Sequence, residues 1–332
     1  MNILFIDTTA YKPYDVERAK TESLGGSEAT MLRVANGLGA KHACYLYQGI
    51  NSNRPAERIG NINHIGMDSE FPAPDLVVHF RMPTDIPLWK GLYPAAKHIM
   101  WMQDLGGDWL KDCHYDERTA IVCTSKFHAH QVTKELQANG LKAPAVTHVY
   151  NPVCAHYGDV LRAKVPHRLG FFSSPHKGLM EVLGHFEKLR EVLPDAELVV
   201  GNPGYITGIP MEPPPGVRFL GDLPHRKAMN QLSECSLLFY PQTIFPEAFG
   251  IVMAEANALG VPVLAHRFGA CKEVCQPEDA IIDCKDADNV LEHALTMLSK
   301  PATRQMHDAF KLDNVIAAWE AYLAKEVIPA QR

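Results

Sequence analysis

The chain has 332 residues, 46% of them hydrophobic and 21% charged, with a net charge of −6. This balance excludes a disordered chain, and the absence of any Lys/Arg-rich run argues against a nucleic-acid partner. No apolar run reaches the ~18 residues needed to cross a bilayer, so no transmembrane segment is expected and the protein is assigned to the cytoplasm, peripheral at a membrane at most. The length suits two domains of roughly 150 residues each. Eight cysteines are scattered without a paired framework and read as free thiols. Cys271 and Cys275 form a CxxxC pair, but the further ligands of a zinc site are missing.

Residues 1–7 lack a basic flank and read as a first strand, not a signal peptide. A helix follows over 27–38, where Ala29, Leu32, Val34, Ala35 and Leu38 make an apolar stripe. Strands are predicted at 43–47, 76–80, 98–102 and 120–124, then a helix at 126–139 closed near Gly140, and a strand at 146–150. The rhythm resumes with a strand at 169–172, a helix at 178–192 and strands at 196–200 and 217–220. A helix at 225–235, a strand at 236–240, a helix at 250–259 and a strand at 262–265 complete it. Alternating strands and helices in both halves predict two doubly wound α/β domains with parallel sheets. The boundary is set at the polar, proline-containing stretch 162–168, giving domains 1–163 and 168–312. A last helix in 313–332 is expected to pack back on the N-terminal domain. The proline-rich 210–216 reads as a stiff connection, and Asp286-Ala287-Asp288 as a helix start instead of a metal site.

The most informative segment is Phe245-Pro246-Glu247-Ala248-Phe249-Gly250-Ile251-Val252-Met253-Ala254-Glu255. It follows a strand and opens a helix. Amides at the start of a helix near Gly250 suit a diphosphate, and Glu255, about one turn further on, can accept two hydrogen bonds from a ribose diol. A surface helix with two solvated glutamates would carry the same residues.

The spacing resembles the E-x7-E signature of the retaining GT-B glycosyltransferases, especially family 4. Ala258-Leu259-Gly260-Val261-Pro262-Val263, Gly269 to Val274, and Val217 to Gly221 resemble further segments of that family in the same order. The resemblance covers most of 169–285. It implies the GT-B architecture, two Rossmann-like domains facing a cleft, and transfer of a hexose-like sugar from a UDP-, GDP- or ADP-sugar to a carbohydrate or other hydroxyl acceptor. Configuration would be retained, without a metal or other cofactor. Leu24-Gly25-Gly26-Ser27-Glu28 is similar to the family's glycine-rich phosphate loop, although a plain turn capped by Ser27 fits too.

The implied donor site comprises Gly25, Gly26, Ser173, Ser174, Lys177, Glu247, Ala248, Phe249, Gly250, Ile251 and Glu255, with Glu247, Lys177 and Asp104 as catalytic candidates. The family's Arg-x4-Lys pair is incomplete: Lys177 supplies the lysine, but Phe172 stands at the arginine position. His176, Arg81 and Arg267 are the candidates to compensate. Gln103 likewise stands where relatives carry a histidine before Asp104. Acceptor candidates are Tyr11 and Arg18 in a loop over 8–23 that also holds Tyr14 and Lys20, together with Arg81, Trp101 and Gln103. Trp89 and Trp109 are further aromatic faces for a sugar. The two departures keep a second reading open, a non-catalytic nucleotide-sugar binder or regulatory subunit. A dehydrogenase lacks its GxGxxG after the first strand.

Overall fold

The computed structural model describes residues 1–106, 119–141, 145–153, 161–202, 212–300 and 305–326. They fall into two units: Met1–Glu17, Ser27–Pro152 and Ala309–Arg332 in unit 1, and Arg18–Gly26 with Val153–Asp308 in unit 2.

In unit 1 the chain runs β1 (Asn2–Asp7), α1 (Gly26–Leu38), β2 (Ala43–Gln48), β3 (Glu57–Ile59), β4 (Ile62–Ile65) and β5 (Leu76–Phe80). It continues through α2 (Ile86–Leu92), β6 (Lys97–Trp101), β7 (Thr119–Cys123), α3 (Lys126–Ala138) and β8 (Val146–His148). The sheet order is β3-β4-β2-β1-β5-β6-β7-β8. Every pairing is parallel except β3 with β4. All five residues of β5 and of β7 are buried, which is why both read as mainly apolar runs, broken only by His79 and Thr119, and not as alternation. The β3 edge is mostly exposed and carries Glu57 and Arg58, charges that discourage pairing with another chain.

Unit 2 runs β9 (Arg168–Phe172), α4 (Leu179–Val192), β10 (Glu197–Asn202), β11 (Val217–Asp222), α5 (His225–Ser233), β12 (Leu237–Tyr240) and α6 (Ile251–Ala258). Then follow β13 (Val263–His266), α7 (Cys271–Val274), β14 (Ala280–Ile282) and α8 (Ala287–Leu298). Its order is β11-β10-β9-β12-β13-β14, with every pairing parallel. The last helix, α9 (Leu312–Glu326), belongs to unit 1. Its Trp319 meets Trp101 edge to face, with ring centroids 4.9 Å apart.

Several elements were not predicted. In β4, Asn63 and His64 break the apolar run, yet His64 is fully buried. Helix α2 is only seven residues long, with Pro87 in its first turn and the poor helix former Gly91 near its end, and α7 and β14 are too short for any periodicity. Asp286 does start a helix: its carboxylate accepts from the Asp288 and Asn289 amides at the head of α8. Gly140 takes the left-handed conformation just beyond α3, at φ +64°. Among the described residues no helix is long and apolar enough to cross a membrane, and no group of three or more His, Cys, Asp or Glu could hold a metal. Cys44, Cys123, Cys235, Cys271, Cys275 and Cys284 are free and buried, and burial pushes the Cys271 thiol up to about 12. Cys113, Cys154, Pro210 and Met211 lie outside the described residues.

Candidate active site

In unit 2 the polar groups gather after the carboxyl end of β12. The turn out of the strand is built by Gln242, which is fully buried. Its Oε1 accepts from the amides of Ile244 at 3.1 Å and Phe245 at 2.8 Å, and its Nε2 donates to the Phe245 carbonyl at 2.8 Å. This side chain does the work of a backbone turn and delivers Glu247 at a fixed position. The Glu247 carbonyl accepts from the Ala270 amide at 2.9 Å. Gly269, at φ +60°, lets the two segments touch, since a Cβ there would lie 2.7 Å from both the Glu247 nitrogen and oxygen.

The Glu247 carboxylate is almost wholly enclosed. Lys177 Nζ donates to Oε1 at 2.9 Å and to Oε2 at 3.0 Å, and the Tyr240 hydroxyl donates to Oε1 at 2.8 Å. Lys177 sits in the turn before α4 and lies 4.4 Å over the Phe245 ring, a cation–π contact that adds to its fixation. The His176 ring meets Phe245 edge to face, and burial followed by the Lys177 charge holds His176 below its ordinary pKa. Gly250 caps α6 in the left-handed conformation, φ +83° and ψ +57°, which an L side chain enters only at a cost. With no capping side chain, the first amides of α6 are directed at whatever lies before it. Glu255, on α6, is buried, and His225 Nε2 at the start of α5 lies 2.7 Å from its Oε1. Gly26 belongs to unit 2 and abuts the same helix start: a Cβ on it would sit 3.3 Å from Ile251 Cγ2.

Ser173 and Ser174 follow β9. The Ser173 hydroxyl is 3.3 Å from the Tyr240 hydroxyl. Ser174 is fully buried, and its Oγ has no partner among the described residues. A buried hydroxyl left in that state is costly unless a ligand completes it. The Phe172 ring lies over two glycines, where Cβ atoms would come within 2.8 Å at Gly170 and 2.5 Å at Gly201. The sheet thus makes room for a ring at the position where the family resemblance calls for an arginine. Arg267 is bonded to Asp283 at 2.7 Å.

Unit 1 collects a second polar group at the ends of β1, β5 and β6. Arg81, left-handed at φ +64°, donates from Nε to Asp104 at 2.8 Å and from a terminal nitrogen to Glu28 at 3.4 Å. Burial works against the Arg81 charge, but Asp104 and Glu28 hold its pKa above the ordinary value. Glu28 is buried on α1, and burial raises its pKa against the opposing pull of Arg81. Gln103 Oε1 accepts from Asn151 at 2.9 Å, both residues being buried.

Two aromatic expectations need correction. Trp101 is fully buried between Phe80 and Trp319 and offers no face to a sugar. Trp89 is buried against Tyr47, and Trp109 lies outside the described residues. Tyr14 is also buried, its hydroxyl bound to Asp7 at 2.7 Å, whereas Tyr11 is exposed. Tyr11 and Arg18 fall in different units. Gln242, Tyr240 and His225 have no counterpart in the sequence reading: Gln242 works by bonding the backbone of its own turn, and Tyr240 and His225 act on carboxylates 7 and 30 residues away. The positive φ of Gly269 had a usable sign, a glycine before a helix.

Two Rossmann-like α/β units with polar groups gathered at the carboxyl ends of parallel strands define the GT-B class. Across 96% of both chains, the fold matches sucrose-phosphate synthase from Thermosynechococcus elongatus with a TM-score of 0.67 at 16% identity. Residues 173–310 match the family "Glycosyl transferases group 1", and the chain is related to it. A phosphatidyl-myo-inositol mannosyltransferase of Propionibacterium freudenreichii subsp. shermanii is 32% identical over 114 residues, 34% of this chain and 28% of that protein. A GDP-mannose-dependent monoacylated alpha-(1-6)-phosphatidylinositol monomannoside mannosyltransferase of Corynebacterium glutamicum is 28% identical over 155 residues, 44% of this chain and 41% of that one. The match spans less than half the length of both curated relatives.

Proposed function

We propose that the protein is a retaining glycosyltransferase that moves a sugar from a nucleoside-diphosphate sugar to a hydroxyl acceptor, a carbohydrate by preference. One observation carries this reading: α6 starts at a left-handed Gly250, with a lysine-bound Glu247 just before it and a buried Glu255 one turn in. The diphosphate would meet the α6 amides, Lys177, the Ser174 hydroxyl and the Gly25–Gly26 loop. Glu255 would hold the ribose, and Glu247 the sugar hydroxyls with the Ala248, Phe249 and Gly250 backbone.

In this reaction the bond from the anomeric carbon to the phosphate oxygen breaks. The acceptor oxygen forms its bond to that carbon from the same face, and its proton passes to a departing phosphate oxygen. No protein nucleophile is needed. Stabilising the departing diphosphate and positioning the acceptor supply the rate. In unit 1, Tyr11, Arg81 and Gln103 are the acceptor candidates, and Asp104, bonded to Arg81, is the catalytic candidate. Arg18, in unit 2, is a further acceptor candidate.

A thermal-shift series with UDP, GDP and ADP tests the donor reading, since a ligand of the folded state raises its stability. One relative is named for GDP-mannose, so GDP and GDP-mannose belong in the first round. A chain that binds none of the three diphosphates is not a glycosyltransferase of this kind. A second reading, a nucleotide-sugar binder without transfer, is favoured by Phe172, because Lys177 is left as the sole cation of the Arg-x4-Lys pattern. Binding with neither transfer nor hydrolysis of a labelled donor would select it, and a gain of turnover in Phe172→Arg would explain it.

A further inference from the structure

We infer that Tyr240 is a positioning residue whose hydroxyl holds Glu247 in place when Lys177 turns to the donor diphosphate. The inference rests on the donor reading above and adds a residue to it. Lys177 has two tasks in that reading. In the structure it donates to both oxygens of Glu247. With phenylalanine at 172, it is also the one member of the Arg-x4-Lys pattern able to neutralise a phosphate. A lysine ammonium has three donors on a flexible stem, and a diphosphate competes for them. Once it turns, Glu247 needs another hold.

Tyr240 supplies that hold. It ends β12, is 1% exposed, and is stacked on Phe171 with centroids 5.4 Å apart, so its ring is held by core packing. Its single proton has two candidate acceptors, Glu247 Oε1 at 2.8 Å and Ser173 Oγ at 3.3 Å. The carboxylate is the shorter and charge-assisted partner, so the proton goes there and the Ser173 hydroxyl donates to the phenol oxygen. The chain of donors therefore runs Ser173, Tyr240, Glu247. It ends on the Glu247 oxygen that also receives one of the two Lys177 bonds. Burial and the Glu247 charge push the phenol pKa well above its ordinary value, so the donor is present at any working pH.

The test needs no acceptor. Dissociation constants are measured by calorimetry for GDP and GDP-mannose, or UDP and UDP-glucose if UDP gives the thermal shift, in wild type, Tyr240→Phe, Glu247→Ala and the double variant. Tyr240→Phe should leave nucleoside-diphosphate affinity within about twofold and weaken the nucleotide sugar about tenfold, the worth of a hydrogen bond to a charged group. In the Glu247→Ala background the same change should cost nothing further. An equal loss for diphosphate and nucleotide sugar, or additive losses in the double variant, would overturn the inference while leaving the donor reading standing. If wild type binds no diphosphate at all, the donor reading itself falls. Should Tyr240→Phe fail to fold, crystal structures of wild type with and without the diphosphate decide. Lys177 leaving Glu247 while the Tyr240 contact stays near 2.8 Å supports the role, and Glu247 moving away with Lys177 overturns it.

Discussion

At the carboxyl ends of the two sheets, acidic groups meet opposite kinds of company. In unit 2 each buried carboxylate has its own basic neighbour, Lys177 for Glu247 and His225 for Glu255. In unit 1, Glu28 and Asp104 share Arg81, and the buried Asp7 lies close enough to perturb both Glu28 and Arg81. The lesson is a division of electrostatic labour. The near-neutral Lys177–Glu247 pair, with backbone amides beside it, can admit a diphosphate, because the lysine can change partners. An edge where acids outnumber the arginine repels one, and suits hydroxyl groups.

The largest effect should come from Glu247→Ala, which should lower transfer by about a hundredfold or more while the diphosphate dissociation constant stays within about twofold. Steady-state kinetics beside calorimetry will read both, and a parallel loss in the two would erase the distinction between Glu247 and Glu255. Acid should then separate the units. Burial holds His64 and His128 down to about 4 and His79, with its neighbour His98 adding, down to about 3; all three are in unit 1. Their folded pKa values lie below the unfolded value near 6.5, so the unfolded chain takes up protons first as pH falls. Stability is therefore full above about pH 6.5 and is lost toward pH 4, at up to roughly 1.4 kcal/mol per pH unit for each histidine. Hydrogen exchange at pH 7 and pH 5 should show unit 1 amides losing protection before those of unit 2, and the reverse order would contradict the burial argument.

Glu255→Ala should weaken nucleoside-diphosphate binding by about tenfold, through loss of hydrogen bonds to a charged acceptor. An unchanged affinity would remove the ribose from that carboxylate. The smallest change is expected from Arg81→Ala. Diphosphate affinity should stay within about twofold, while denaturant unfolding should register a loss of about 1 kcal/mol as Glu28 loses its partner. A large drop in diphosphate affinity would make the acidic edge part of the phosphate site.

The parallel α/β character was legible because buried strands show as apolar runs, as in Leu76–Phe80 and Leu237–Tyr240. The head of α6 was legible too, from Gly250 between a proline-containing segment and an apolar helix. What misled was composition without context: Trp101 has the chemistry of a sugar platform, but α9 covers it. Tyr240 reads only as the end of a strand, and Gln242 carries no local signature.

The order of strands and helices, the glycine that opens α6 and the spacing from Glu247 to Glu255 were written locally, because hydrophobic period and backbone conformation act over a few residues. Which side chains meet was decided only by the tertiary fold. Lys177 reaches Glu247 across 70 residues and His225 reaches Glu255 across 30. Such contacts depend on parallel strands being brought side by side, and a pairing at that range leaves no mark in the local pattern of either segment.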